Sequence, residues 1–424
     1  MSQYLRVLRH RDFRFLFLSQ SASAVGDQVV IVALALYITQ RTGSPTDLGL
    51  VLAAQSLPLI ALVLFGGVWA DRLPRHRIMT VADYARALLH AVLAASIVLG
   101  GASVTEMIVI EALFGAARAF FQPAYSGLLP QTIPDALVQN ARALSSTTEN
   151  LAILVGPAVG AVMVLTVGAG AAFALDAATF LLSAELLRHM RPRARGDVPQ
   201  ARPEERSTVI SDLRAGWHEV RSRTWVWATI AAFTVVVLAA YAQWYALAPL
   251  VSKQIYGSAG VFGLLESVAG GGAVVGALVG IRWRPRRPMV IGLLLTLLWP
   301  LQTLAFAAAS PLVVVVALAF GAGLGFTLFE VWWSTALVRH IPPQALSRVS
   351  AYDWMGSLAL LPLGFAVAGP LAGALGARTV LAVGAAVALV MLALALIPRG
   401  TRQLALDGPE PVTTQPSSSP MMSR

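Results

Sequence analysis

The chain alternates apolar blocks about twenty residues long with short polar stretches rich in arginine. A helix needs roughly 20 apolar residues to cross the hydrocarbon of a bilayer. By that ruler the sequence predicts twelve spans. They are Phe15–Thr39, Leu48–Ala70, Ile78–Leu99, Glu106–Gly127, Ser145–Val167, Ala171–Arg188, Trp225–Leu250, Val261–Ile281, Pro288–Ala308, Leu312–Val338, Tyr352–Gly373 and Val380–Ile397. Within hydrocarbon each backbone polar group must find its partner inside the protein. The expected fold class is therefore an all-α membrane protein.

Arginine and lysine set the topology. Loops that follow odd spans carry only Arg41, Lys253 and Arg378. Loops that follow even spans carry Arg72, Arg75, Arg77, Arg142, the stretch 188–223, the stretch 282–287, Arg339 and Arg348. The positive-inside rule then places both termini in the cytoplasm and the spans in an inner (plasma) membrane. Residues 1–14 form a basic cytoplasmic segment with no small-residue cleavage site after it, so a retained first span is expected. Residues 15–190 make one six-helix bundle and 225–398 a second. Residues 191–224 form a cytoplasmic linker, Pro- and charge-rich at first. Its later part, TVISDLRAGWHEVRS, puts Val209, Leu213, Trp217 and Val220 at helical spacing. This amphipathic helix suits either the lipid headgroup region or a solvent-facing position. Residues 399–424 read as a disordered tail.

Composition agrees. Apolar residues are 57% of 424 and charged residues 12%, against about 25% charged in soluble domains. A net charge of +10 raises a nucleic-acid partner, but the arginines lie at helix ends, not on one face among aromatics. No nucleic acid is expected. The absence of cysteine excludes disulfides and thiolate metal sites. The glycine run Gly270–Gly272 lacks a following lysine, so no phosphate-binding loop for ATP is present. No hydrolase or zinc-protease motif occurs, and His90 is the lone histidine inside a span. The expectation is no enzyme, no metal and no cofactor, with a proton gradient as the energy source. The expected partners are a small-molecule substrate and membrane lipids, and the protein is expected to be a monomer.

The two halves repeat. At an offset of 214, Gly43, Ser44, Gly49, Leu50, Gly66, Arg72 and Pro74 fall on Gly257, Ser258, Gly263, Leu264, Gly280, Arg286 and Pro288. At an offset of 208, Gly115 and Pro134 fall on Gly323 and Pro342. Gly272, Gly276 and Gly280 follow the small-x-x-x-small spacing that lets helix backbones approach.

Between spans two and three, GGVWADRLPRHR carries Gly67, Asp71, Arg72, Arg75 and Arg77. These residues resemble the loop motif G-x-x-x-D-R-x-x-R-R of the major facilitator superfamily. SASAVGD on span one, RTGSP after it and FFQPAYSGLLPQTIP on span four are similar to the branch holding enterobactin-type siderophore exporters and drug-efflux proteins. The resemblance runs from Arg6 to about Arg399. It implies two pseudo-symmetric six-helix bundles around a central cavity. It also implies that Asp71 contacts the start of span eleven near Ser347–Asp353. Arg348 is the partner expected there, and the pair would latch the inner gate in the outward-facing state. In the second half Pro285 replaces the acid, so an asymmetric gate is expected. Gly156, Pro157 and Gly160 on span five resemble the Gly-Pro motif of facilitator antiporters, and Gly369 and Pro370 match them on span eleven. A plain kink explains both equally well.

A charge in the membrane costs about 2.5–3.5 kcal/mol on insertion scales, so each one needs a reason. Asp27 lies midway along span one; Glu111 and Arg118 share span four. In the resembled fold both spans line the cavity, so Asp27 and Arg118 should face each other there. Two readings stay open. Asp27, with Glu111, takes up a proton and Arg118 tunes it; or the charges form a static pair that sets register. Asp176 is expected to be structural. Asp83 and Arg86, one turn apart, can satisfy each other. Glu149 and Asp353 are expected to open helices five and eleven. Gln55, Gln243, Trp244, Tyr245, Trp332, Trp333, Glu266 and Glu330 are candidate cavity residues, although aromatic rings also belt membrane interfaces and the two acids suit structural pairing equally. Aromatic walls with few fixed charges favour amphipathic organic molecules. The expected function is export of such a molecule (a drug, antibiotic or siderophore) by proton antiport. An importer, a uniporter and a non-transporting sensor of the same fold are the alternatives. The gate makes one prediction: Asp71→Asn lowers the transport rate while membrane yield and melting temperature stay at parental values; full transport would count against the latch.

Overall fold

The structure is a computed structural model and describes residues 6–193, 209–283 and 285–404. The linker at 194–208, the tail from 405 and residues 1–5 lie outside the described residues. Among those described there are helices and no strands. The first half contains α1 (Arg11–Arg41), α2 (Pro45–Arg72), α3 (Arg75–Leu99), α4 (Val104–Leu128), α5 (Val138–Thr166) and α6 (Ala169–Arg188). The linker contributes α7 (Val209–Ser222). The second half contains α8 (Thr224–Val236), α9 (Ala242–Tyr256), α10 (Gly260–Arg282), α11 (Pro288–Thr296), α12 (Leu298–Ala307), α13 (Leu312–His340), α14 (Pro343–Leu358), α15 (Leu361–Leu375) and α16 (Ala377–Ala395). A short π segment, Val237–Tyr241, joins α8 to α9 as one span.

These helices are the twelve predicted spans. Eleven are long and apolar enough to cross a membrane. The remaining one, α4, has the length but carries Glu106, Glu111, Arg118 and Gln122. Two predicted spans are broken, and proline explains both. Pro300 cannot donate to Thr296, and the chain steps from α11 to α12 just before it. Pro362 cannot donate to Leu358, where α14 stops and α15 begins. Helices five and eleven start earlier than predicted, at Val138 and Pro343. Glu149 and Asp353 therefore lie about three turns inside their helices rather than at helix N-termini. The polar stretches before them continue the helix beyond the apolar block.

The internal repeat is visible as backbone contact. A Cβ on Gly115 of α4 would stand 1.9 Å from the carbonyl oxygen of Gln55 on α2. A Cβ on Gly323 of α13 would stand 1.8 Å from the carbonyl oxygen of Ala269 on α10. Gln55 and Ala269 are themselves related by the offset of 214. On α10, Gly272 and Gly276 continue this seam against Phe320 and Leu324 of α13. Gly43 and Gly257, paired by the same offset, both take positive φ (64° and 75°) in the turns that follow α1 and α9.

The two halves meet through the same repeat. Gly49 of α2 lies against the Phe365 carbonyl of α15, and Gly369 of α15 against Thr46. The symmetric contact joins α10 to α5, where Gly263 meets Ala161 and the Pro157 carbonyl. The principal contacts between halves, among the described residues, are these two seams, α2 with α15 and α5 with α10. Toward the linker end, α14 packs on α7, α8 and α13 of its own side. The linker helix is docked rather than free on the surface. Gly216 of α7 lies against Arg348 and Tyr352, the half-exposed Trp217 ring is tilted against Tyr352 with centroids 5.8 Å apart, and Val220 is buried. The side chains of Val209 and Leu213 lie outside the described residues.

Close approach at Gly115 and Gly323 forbids a branched side chain, and overpacking costs about 1–3 kcal/mol. Gly115→Val and Gly323→Val are each expected to lower the melting temperature in detergent. Gly373, with nothing near its would-be Cβ, is the control: Gly373→Ala should leave it unchanged or raise it.

Candidate functional site

Helix α1 is held tightly from two sides. A Cβ on Gly26 would come within 2.2 Å of Asp176 Oδ1 on α6. On α5, Gly156 lies against Gln28 and Gly160 against the Val29 carbonyl. The Gly-Pro stretch of α5 is thus the seat of α1. In the second half, Gly369 instead seats the start of α2. This grip turns Asp27 toward a cavity of about 330 Å3. Among the described residues the cavity wall comes from the first half: Gln20, Asp27 and Ile31 of α1, Gln55 of α2, Arg86 and His90 of α3, Phe114, Arg118, Phe121 and Tyr125 of α4, and Glu149 of α5 are among its residues. Asp27 and Arg118 share this cavity. Among the described residues no hydrogen bond or ion pair joins them, and Arg118 is exposed to the opening.

Behind the wall lies a buried polar core. Asp83 accepts from Arg86 and, at 2.5 Å, from the Ser183 hydroxyl of α6. The Arg86 guanidinium lies between the rings of Phe121 and Phe180, 4.2 Å from each centroid. One turn further on, His90 Nδ1 is 2.5 Å from Asp176 Oδ2, and its Nε2 is 3.6 Å from Glu111 Oε1. Glu111 also accepts from Gln55 Nε2 at 2.6 Å. The His90 ring stacks on Phe114 with centroids 4.1 Å apart. Glu111 is fully buried in this core and does not reach the cavity itself. Asp176 partners His90.

Sequence reasoning singled out Glu111 but passed over His90 as the group beside it. One signal was present. Asp83, Arg86 and His90 fall at i, i+3 and i+7, a polar stripe on one face of an apolar helix. Such a stripe demands a partner face, and Asp176 and Ser183 on span six repeat the seven-residue interval.

The second-half candidates do not line this cavity. Gln243 is buried and donates to the carbonyls of Leu238 and Gly364. Trp244 is buried, and with Tyr245 it donates to Glu266, each at 2.8 Å. Trp333 donates to Asp353 at 2.8 Å, and Trp332 to the Trp283 carbonyl. Glu330 is exposed on α13. Apart from Glu330, these side chains donate to partners within the second bundle.

In the loop between α2 and α3, Arg75 donates to the Gly127 carbonyl at 2.6 Å, at the C-terminal end of α4. Arg72 and Arg77 are exposed. The side chains of Asp71 and Ser347, and residue Gly67 beyond its helical backbone, lie outside the described residues, as does the expected contact of Asp71 with Arg348.

Among the described residues, helical spans in two repeated bundles, with ionisable groups gathered around a cavity, fit a transporter of the major facilitator class. Residues 2–289 match the model of the family described as transmembrane secretion effector, and the chain belongs to that family. It is similar to the multidrug efflux pump Tap of Mycolicibacterium fortuitum, 26% identical over 91% of this chain and 95% of that protein. Tap of Mycobacterium tuberculosis is 29% identical over 86% of this chain and 87% of that protein. Macrolide efflux protein A of Streptococcus pyogenes is 24% identical over 63% and 66%. In fold it resembles a bacterial homologue of the human lysosomal transporter Spinster in an inward-facing, unoccupied conformation. The TM-score is 0.67 and the identity 17%, over 93% of this chain and 97% of that one. It also resembles the nucleoside transporter NupG, with TM-score 0.66 and 13% identity over 91% and 98%.

The Asp83–Arg86 pair gives a stability prediction. Removing one partner of a buried pair costs about 3–5 kcal/mol, whereas replacing both by apolar groups costs far less. Arg86→Met should depress the melting temperature strongly, and Asp83→Leu with Arg86→Met should recover most of it. A double variant less stable than the single would show that the two groups do not compensate each other.

Proposed function

We propose that the protein exports a small amphipathic organic molecule, such as a drug, antibiotic or siderophore, by proton antiport with alternating access. The observation that carries this reading is the cavity itself. Asp27 and Arg118 stand in it among the rings of Phe114, Phe121 and Tyr125 and the apolar side chain of Ile31. Apolar and aromatic walls bind the body of such a molecule, and a few placed polar groups orient it. Relatives named as efflux pumps match most of the chain, which supports the outward direction.

The arginine pattern makes the linker end cytoplasmic. The α2–α15 and α5–α10 seams join the halves at Thr46, Gly49 and Gly263, near the helix ends opposite the linker, and this arrangement suits loading of substrate from inside. Asp27 and Glu149 are the carboxylates on the cavity wall, and the exchanged proton is assigned to Asp27, which shares the cavity with Arg118. Rocking of the two bundles about the glycine seams carries the cavity from one side to the other.

The test uses everted membrane vesicles with ethidium, a macrolide and a catecholate siderophore, each with and without a proton gradient. Accumulation of at least one probe is expected, abolished by a protonophore and lost in Asp27→Asn. Accumulation that ignores the gradient, or an unimpaired Asp27→Asn, would remove the coupling assignment.

A further inference from the structure

We infer that the buried group His90–Glu111–Asp176 is a proton-storage site, a second station for the proton that enters at Asp27. The inference rests on the antiport reading above and assigns it a place in the bundle interior.

The hydrogen-bond pattern is one proton short of closure. His90 Nδ1 lies 2.5 Å from Asp176 Oδ2, so that nitrogen donates its proton to the carboxylate. The other ring nitrogen, Nε2, then faces Glu111 Oε1 at 3.6 Å. That gap is too long for a hydrogen bond and too short to hold a water between the two atoms. Neither atom has a hydrogen-bond partner, and Asp176 Oδ1 has none either. With a neutral imidazole, two acceptors confront each other in a fully buried place, an arrangement that costs free energy. One added proton, on Nε2 or on Glu111, converts the repulsion into a donor–acceptor pair. Gln55 Nε2 already satisfies the other oxygen of Glu111, so on that side the proton settles in the gap between Nε2 and Oε1.

Charge counting points the same way. The buried core holds three carboxylates, Asp83, Glu111 and Asp176, and two bases, Arg86 and His90. Arg86 is committed to Asp83. Charging His90 answers one of the two remaining carboxylates, and the core stays negative by one. The groups that face it are Asp27 from α1, Gln55 from α2, Asp83 and Arg86 from α3, Arg118 from α4 and Asp176 from α6. His90 and Gln55 also line the cavity, so the core has an edge on the aqueous side. Phe114, stacked flat on the imidazole, fixes the ring between its two carboxylates.

The site is thereby linked to conformation. While the cavity is open, water near its edge helps to hold the core's excess negative charge. Closing the cavity removes that water, and a core made less negative by the stored proton tolerates closure better. Acid should therefore favour closure of the linker end, and alkali its opening.

The chain has no cysteine, so spin labels placed by Gln139→Cys and Ser350→Cys report distances across the linker end without background. The parent protein carrying this pair, in nanodiscs and without substrate, is compared at acid and alkaline pH by pulsed electron resonance. A shorter distance population should grow on acidification and should not respond to pH in His90→Gln or in Glu111→Gln. Asp176→Asn, which keeps the shape of the site, serves as a third variant if either of the others fails to fold. A pH response retained in His90→Gln would overturn the storage site. If Asp27→Asn alone loses the response, proton antiport stands and the His90 site falls. No response in the parent protein would overturn both.

Discussion

Hydrocarbon offers no water to a charged side chain. Every ionisable group inside the bundles must therefore have a partner or an opening to solvent, and this constraint shapes the first half of the protein. Asp83, Arg86, His90, Glu111 and Asp176 are all essentially inaccessible. Each is held by another member of the set, by Ser183 or Gln55, or by an aromatic face. Helices α3, α4 and α6 are fixed to one another largely through these contacts, and α1 is pressed onto the group where Gly26 meets Asp176. Polar groups of this kind act as interhelical glue where lipid tails provide no hydrophobic drive toward association.

The two halves share a backbone plan but differ in their charges. Gly115 and Gly323 make the same close approach, and Gly49 and Gly263 make the same contact across the halves. Two carboxylates of the second half meet indole and phenol donors instead: Glu266 accepts from Trp244 and Tyr245, and Asp353 from Trp333. Those interactions are satisfied within one bundle and leave no cationic partner to exchange. The buried ion pairs are concentrated in the first half among the described residues, and on the proposed reading the second half provides the opposing body. Seams made of glycine and alanine against backbone suit this division, because they lack long interdigitating side chains that would resist sliding.

Much of the fold was legible because the bilayer enforces simple rules. Length and apolarity located all twelve spans, and the offsets of 214 and 208 found glycines that the structure places at equivalent backbone crossings. What failed has a local cause in each case. Proline at 300 and 362 breaks two spans, and apolar-run counting does not register it. Glu149 and Asp353 read as helix starts because the polar residues before them look like loop, although the helices continue past the apolar block. The linker helix reads as a surface element, since nothing in its own pattern reveals that Tyr352 receives Trp217. The site was legible in part. Asp27, Arg118 and Gln55 do reach one cavity, and Asp83 does meet Arg86. Periodicity within a single helix does not tell which neighbour a polar face meets. For that reason Glu111 was matched to the cavity, and its contact with His90 emerged only from the packing of α3 against α4 and α6. Gln243, Trp244 and Trp333 show the converse: residue types suited to a cavity are spent on bonds inside a bundle.

The proposed reading requires that water from the linker end reach Asp27 and the polar core behind it. Because the chain lacks cysteine, Asp27→Cys can be probed with a membrane-impermeant thiol reagent applied from one side at a time. The predicted result is labelling from the linker side at a rate far above that of Leu88→Cys, which is exposed on the outer face of α3. Labelling of Asp27→Cys no faster than Leu88→Cys from either side would contradict it.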